Sequence, residues 1–282
     1  MVLDFRFRKS ALKEFILLKT LYKTTKPVYM VRSSNLEYYF PKNKLWVHYL
    51  FKDQEICALT NGMAQMIRAR YELKKIQVIP NSISGISETN SEELKFENLF
   101  IVTAGRLVDH KQFDKLLIAY AESQLPKLSI DLRILGKGPE LENLKMLAKE
   151  LKITNRVYFE GFVKKPELYF KAALFFAFCS AFEGFPRVIL EALSCSLPVV
   201  TTNCLTGPAE LIDGTNGILV PHQDFKAFKK ALNVLAADSE LRFKFASNCK
   251  KSIAKFDDRF VSEQWLQYLN KIYEHSQAYC PS

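Results

Sequence analysis

From Leu99 onward the chain repeats one pattern: a short apolar run, a turn carrying glycine or polar residues, and a segment with helical spacing of apolar positions. Parallel strands cannot be joined by tight turns and need long crossovers, which helices supply, so the alternation constrains this part to an α/β, doubly wound parallel sheet. The strand candidates are LFIVTAGRL ending at Gly105, SIDLRILG, VYFEG, ALFFAFCSAF, LPVVTTN and GILVP. KQFDKLLIAYA, EGFPRVILEALS and DFKAFKKALNVLAA read as helices among the connections, and RFVSEQWLQYLNKIYEH forms a last helical stretch after Asp258.

Ahead of this lie three shorter strand candidates, KPVYMVRSS, EICALTNG and KIQVIPNSI, opened by a basic helix candidate, SALKEFILLKTLYK. The polar stretch SISGISETNSEE reads as a linker. The expected division is a small α/β unit over 1-86, a linker over 87-98, a larger α/β domain over 99-257, and a C-terminal helix and tail over 258-282. Charge divides the same way. Residues 1-86 hold 15 Lys and Arg against 6 Asp and Glu, and the remainder holds 25 against 24. The longest apolar run, Ala172 to Phe182, is 11 residues, short of the roughly 20 that a spanning helix needs. The start, MVLDFRFRKS, lacks the uninterrupted apolar core of a secretory signal. A cytoplasmic chain is expected. The six cysteines form no CxxC pair and read as reduced thiols, several of them in the core.

In open α/β sheets ligands bind beyond the carboxyl ends of the strands, which directs attention to the turns there. The sharpest runs from Glu183 through Gly184, Phe185, Pro186 and Arg187 to Glu191. Pro186 suits a first helical turn, and the free N–H groups of a helix start there would favour an anion. Glu191 is a lone charge within VILEALS, so it must be paired with a core Arg or Lys, or used. A second turn holds Gly105, Arg106 and Lys111, with Asp109 as candidate helix cap. Lys111 near a helix N-terminus opposes the dipole unless an anion lies between, the alternative being a solvated lysine. Gly136 lies in a third turn, LGKGPE, for which tight-turn chemistry alone is an equal explanation. There is no phosphate loop of the G-x-x-x-x-G-K-[ST] type, no G-x-G-x-x-G, H-E-x-x-H or G-x-S-x-G. These absences argue against ATPases, nicotinamide enzymes, zinc proteases and α/β-hydrolases. The four histidines do not cluster, and neither metal nor cofactor is indicated.

Five segments, GRLVDHKQFDKLL, LGKGPELENL, VYFEGFV, EGFPRVILEALSCSLPVV and TGPAELIDGTNGILV, together and in order resemble the C-terminal domain of retaining glycosyltransferases of family four. That family has the GT-B fold, and the resemblance spans nearly all of residues 99-275. DFRFRKSALKEFILLKTLY and KPVYMVRSS are similar to the second half of the N-terminal domain in members that build bacterial lipopolysaccharide, capsule or lipid-linked oligosaccharide. The resemblance thus implies a complete C-terminal domain beside a partial, acceptor-side N-terminal domain lacking its first part.

By the same resemblance, Glu183 would touch the donor sugar or its phosphate and Glu191 the ribose hydroxyls. Arg106 and Lys111 match the pair that neutralises the donor diphosphate. Phe185, Pro186 and Arg187 match the stretch whose backbone N–H groups face phosphate, Gly136 lies in a second donor-side turn, and Phe162 and Val163 fall where the nucleotide base lies. Two positions depart from the family pattern: Ser196 stands where Gly is usual before Leu197-Pro198, and Arg32 stands where His is common.

The implied activity is retaining transfer of a hexosyl or N-acetylhexosaminyl group from a UDP-sugar to a lipid-linked or lipopolysaccharide glycan. The alternative is a truncated, catalytically weak nucleotide-sugar-binding remnant or regulatory partner. The basic, apolar stretch from Arg6 to Lys26 adds an expected association with anionic membrane surface, peripheral on the inner face of the cytoplasmic membrane. The alternative there is a buried helix with solvated lysines. No recognition motif accompanies the charge, so no nucleic-acid partner is expected.

Overall fold

The structure is a computed structural model that describes residues 2-3, 26-84 and 94-277. The basic helix candidate and most of the Ser/Asn-rich stretch lie outside the described residues. The chain forms two compact units.

The first unit comprises residues 1-82, 183-185 and 256-282. Its parallel sheet runs β1 (Val2–Leu3), β2 (Val28–Val31), β3 (Glu55–Ala58) and β4 (Ile76–Val78), in that spatial order. Helix α1 (Lys44–Phe51) starts at Asn43, whose side chain accepts from the N–H groups of Leu45 and Trp46. Helix α2 (Asn61–Tyr71) starts at Thr60, whose hydroxyl accepts from Met63 N–H. The C-terminal helix of the chain also belongs here, with Val261 and Tyr268 packed in one cluster with Val28, Cys57 and Ile79.

The second unit comprises residues 83-182 and 186-255. Its elements are β5 (Phe100–Ala104), α3 (Phe113–Ala121), β6 (Asp131–Leu135), α4 (Leu141–Glu150), β7 (Val157–Gly161), α5 (Pro166–Ala172), β8 (Phe176–Phe178), α6 (Arg187–Ser194), β9 (Val199–Thr202), α7 (Pro208–Leu211), β10 (Gly217–Val220), α8 (Phe225–Ala237) and α9 (Ser239–Ser252). Helix α10 (Asp258–Gln277) is the one that returns to the first unit. The six strands are all parallel and ordered β10-β9-β8-β5-β6-β7. The chain therefore winds outward from β5 on one side and returns to β8 on the other, which puts the reversal of strand order between those two. They share the single register pair Val102 and Phe176, whereas β5 and β6 pair from Phe100 with Asp131 to Ala104 with Leu135.

Every residue of β5 and of β9 is buried, as a sheet covered on both faces requires. Strand β8 is only Phe176–Phe178, shorter than the apolar run that contains it; the rest of ALFFAFCSAF forms the turns on either side. On the edge side, Arg133 lies against the rings of Phe96, Phe100 and Tyr158 at 4.4, 5.2 and 4.5 Å and pairs with Glu160, which also accepts from the Tyr169 hydroxyl.

Candidate functional site

Because the strands of the second unit are parallel, all their carboxyl ends lie along one edge, and the turns there are tied to one another by backbone bonds. Gly105 N–H donates to Leu135 O (2.9 Å), Leu107 N–H to Lys137 O (3.0 Å), and Gly136 N–H to Gly161 O (2.7 Å). The packing admits no side chain at Gly136: a Cβ there would stand 1.8 Å from the Gly105 carbonyl oxygen. At Gly138 a Cβ would stand 2.1 Å from the Leu107 oxygen. The LGKGPE turn is thus the support on which the Gly105–Leu107 turn rests, a role that tight-turn chemistry alone does not require.

Arg106 is exposed on this edge. The Lys111 side chain runs past Gly105, where a Cβ would lie 3.9 Å from its Cε, and its ammonium sits 5.3 Å from the centre of the Phe178 ring. The expected cap is not the one observed. Asp109 belongs to a separate 3-10 turn, Asp109–Lys111, and α3 begins after Gln112, which has φ 52° and makes no side-chain cap bond. Gln112 was not legible as a site residue. Its side-chain carbonyl is buried and accepts no hydrogen bond among the described residues, while its backbone carbonyl accepts from the Cys179 thiol at 3.2 Å. Ala181 N–H donates to His110 O (2.8 Å), and the His110 and Phe182 rings stack at 4.8 Å. Those contacts join the turn after β5 to the turn after β8, across the reversal of strand order.

Helix α6 follows. Pro186 stands one residue earlier than the sequence suggests, at the N-cap rather than inside the first turn, and no side chain caps the helix. The first N–H groups, including that of Arg187, are therefore left without a side-chain acceptor there. Glu191 lies one turn further along and is half-buried. Burial pushes its carboxyl above the ordinary range, opposed by Arg187 and reinforced by Glu167. No ion pair holds Glu191 among the described residues, so the core Arg or Lys partner considered for it is not what the structure shows. The far end of α6 closes with Leu197 N–H donating to Ala192 O (3.1 Å) and with Ser196 at φ 59°, the left-handed conformation that suits glycine.

Phe162 and Val163 follow Gly161 at the end of β7. Phe162 is 71% exposed and Val163 half-buried, leaving an aromatic face open beside the glycine turns. Glu183 and Phe185 group with the first unit. There Ser34 N–H donates to Glu183 O (3.2 Å), Phe185 packs edge-on against Phe256 at 5.3 Å, and a Cβ on Gly184 would lie 1.9 Å from the carbonyl oxygen of Arg32.

Residues 86–252 match the family described as "Glycosyl transferases group 1". Over 199 residues the chain is 33% identical to the N-acetylgalactosamine-N,N'-diacetylbacillosaminyl-diphospho-undecaprenol 4-alpha-N-acetylgalactosaminyltransferase of Campylobacter jejuni, covering 70% of this chain and 54% of that one. It is 32% identical over 171 residues to the lipopolysaccharide core biosynthesis glycosyltransferase LpsE of Rhizobium meliloti, covering 60% of this chain and 49% of that one. The chain thus spans about half the length of these curated relatives. Among solved structures, Anabaena HepE in complex with UDP superposes with a TM-score of 0.77 at 22% identity, over 93% of this chain and 76% of that one. That likeness establishes the GT-B fold.

Proposed function

Because the chain belongs to the glycosyl transferases group 1 family, we propose that it serves retaining transfer of a hexosyl or N-acetylhexosaminyl group from a UDP-sugar to a lipid-linked or lipopolysaccharide glycan. The observation that carries this reading is the edge of the second unit, where interlocked glycine turns, two cations and an uncapped helix start stand at the reversal of strand order. The Campylobacter relative's name specifies an undecaprenol-linked acceptor, the Rhizobium relative is a lipopolysaccharide enzyme, and the Anabaena neighbour holds UDP. Each of these supports the choice of substrates.

Residues 99-257 form the donor-side domain in this reading and residues 1-86 contribute the acceptor side. As the bond from sugar to diphosphate breaks, negative charge gathers on the leaving phosphate. Arg106, Lys111 and the first N–H groups of α6 stabilise it, and the N–H groups, fixed beforehand by the backbone, cost little reorganisation. Glu191 accepts from the ribose hydroxyls, Gly136 holds the turn that positions Arg106, and Phe162 with Val163 receives the base. Glu183 is assigned to the donor sugar or its phosphate, and Phe185, Pro186 and Arg187 to the stretch whose backbone N–H groups face phosphate.

Calorimetry with UDP tests the donor assignment. Glu191→Gln should weaken binding by about 1.5–3 kcal/mol, the scale of a hydrogen bond to a charged group. Equal affinity in the variant and the parent, with the fold intact by circular dichroism, would remove Glu191 from the ribose.

A peripheral membrane position is part of the same reading. Helix α1 exposes Leu45 (80%), Trp46 (52%) and Tyr49 (68%), with Lys42, Lys44 and Lys52 exposed beside them. Aromatic tips among lysines suit an anionic interface. Among the described residues no helix is long and apolar enough to cross a membrane. Trp46→Ser with Tyr49→Ser should reduce flotation with anionic vesicles, and unchanged flotation would reject this face.

A further inference from the structure

At the amino ends of β2, β3 and β4 the first unit contains a cavity of ≈ 470 Å³ that the donor reading does not use. Four lysines line it: Lys26 ahead of β2, Lys74 and Lys75 leading into β4, and Lys271 on α10. One carboxylate faces them, Glu55. That carboxylate is already engaged, accepting from the Tyr268 hydroxyl at 3.2 Å and lying 3.9 Å from Lys75 Nζ. Lys75 also donates to Asp53 O at 3.4 Å. Lys74 and Lys271 have no carboxylate partner among the described residues.

Leaving Lys26 aside, Lys74, Lys75 and Lys271 around one carboxylate leave a formal excess of two positive charges. The cavity walls are partly apolar, with Tyr268 buried and Ile76 and Ile272 half-buried. A one-signed cleft with low-dielectric walls concentrates its field on whatever enters. Lysine ammoniums are compact point charges that bind phosphate without needing a fixed fork geometry. The volume falls within the roughly 300–1,000 Å³ of small-molecule sites, which leaves room for a phosphate and the group it is esterified to.

We propose that this cavity binds a phosphate group, presented either by a free phosphate compound or by the headgroup of an anionic lipid. The site is separate from the donor edge, which belongs to the second unit and lies at the carboxyl ends of its strands.

The test uses the full chain and the double variant Lys74→Gln with Lys271→Gln; both side chains are exposed, so the fold should persist. A control, Lys230→Gln with Lys251→Gln, removes the same charge from exposed positions of the second unit. Pyrophosphate binding is measured by calorimetry in excess UDP, so that a diphosphate site elsewhere is filled. Flotation is measured with phosphatidylglycerol vesicles and with neutral phosphatidylcholine vesicles.

The double variant should bind one of the two probes roughly tenfold or more weakly than parent and control, the scale of one lost charge-assisted bond. Loss in calorimetry identifies a soluble phosphate compound as the ligand; loss with phosphatidylglycerol alone identifies a headgroup. Binding of both probes at the parental level, or equal weakening in the control, would overturn the proposal. UDP affinity measured on the same proteins without pyrophosphate reports the donor edge separately, so that either reading can fail without the other.

Discussion

The two sheets gather positive charge by different means and at different ends of their strands. In the second unit the carboxyl ends carry Arg106 and Lys111 on turns whose backbones interlock, so that Gly136 and Gly138 have no room for a methyl group. In the first unit the amino ends carry lysines on flexible stems around a cavity. The first arrangement fixes where charge is stabilised, which is what a reaction needs. The second offers attraction without fixed geometry, which suits binding. The difference implies that backbone changes should damage the turns of the second unit and spare the lysine cavity, whereas charge changes should weaken binding at both.

The largest effect should come from Gly136→Ala. Its methyl group would stand 1.8 Å from a carbonyl oxygen, and the backbone must move to admit it. A loss of ~3 kcal/mol in denaturant unfolding is expected, the upper range for overpacking, together with loss of UDP binding. Gly214→Ala is the matched control, since nothing lies within 4 Å of its Cβ position. It should cost only the left-handed strain of about 1–2 kcal/mol. Equal costs would show that the glycine turns are not the rigid part of the second unit.

Next in size are the cations themselves. Arg106→Ala and Lys111→Ala should each weaken UDP by about 1.5–3 kcal/mol with little change in melting temperature. A large fall in stability with unchanged UDP affinity would make them structural.

A pH series sharpens the role of Glu191. Burial raises its carboxyl above 4.5 in the folded chain, so the unfolded chain ionises first as pH rises. Ionisation of Glu191 in the fold therefore costs stability that accumulates from about pH 4.5 upward through the raised value. Glu191→Gln should be at least as stable as the parent at neutral pH while binding UDP less well. In the parent, UDP affinity should fall as pH drops through the raised value, and that limb should be missing from the variant.

The smallest effect concerns Ser196. At φ 59° it holds a conformation that glycine adopts without strain. Ser196→Gly should gain roughly 0.5–1 kcal/mol, the left-handed penalty less the added chain entropy of glycine. A loss instead would mean that the serine side chain makes a compensating contact.

The parallel core was legible in the sequence because buried strands read as continuous apolar runs, as FIVTA does in β5, where every residue is buried. Helices α1, α2, α4, α5, α7 and α9 were not assigned from the sequence. Helix α1, KLWVHYLF, is apolar on both its buried and its exposed sides, which erases the periodic signal. Helix α9 buries only Phe245 and Cys249, too few to mark a face. Along the candidate edge of the second unit, the glycines and charged residues could be picked out from their place after strands. Which glycine supports which turn could not, because the close approach of Gly136 to the Gly105 carbonyl exists only once β5 and β6 have paired. The left-handed Gln112 was hidden for a similar reason: the 3-10 turn before it displaces Asp109 from the capping role that its spacing suggests.

The narrow join between β5 and β8 has a bearing on inheritance. Strands β5, β6 and β7 come from one continuous stretch of chain and β8, β9 and β10 from the next, meeting through the pair Val102 and Phe176. Arg106 and Lys111 belong to the first stretch and Glu191 to the second. A single genetic exchange in the connection between β7 and β8 would carry the Glu191 helix and everything after it into another background, leaving the cation-bearing turns of the recipient intact. In the proposed reading, descendants could acquire a different Glu191 helix in one recombination while β5, β6 and β7 stay as they are.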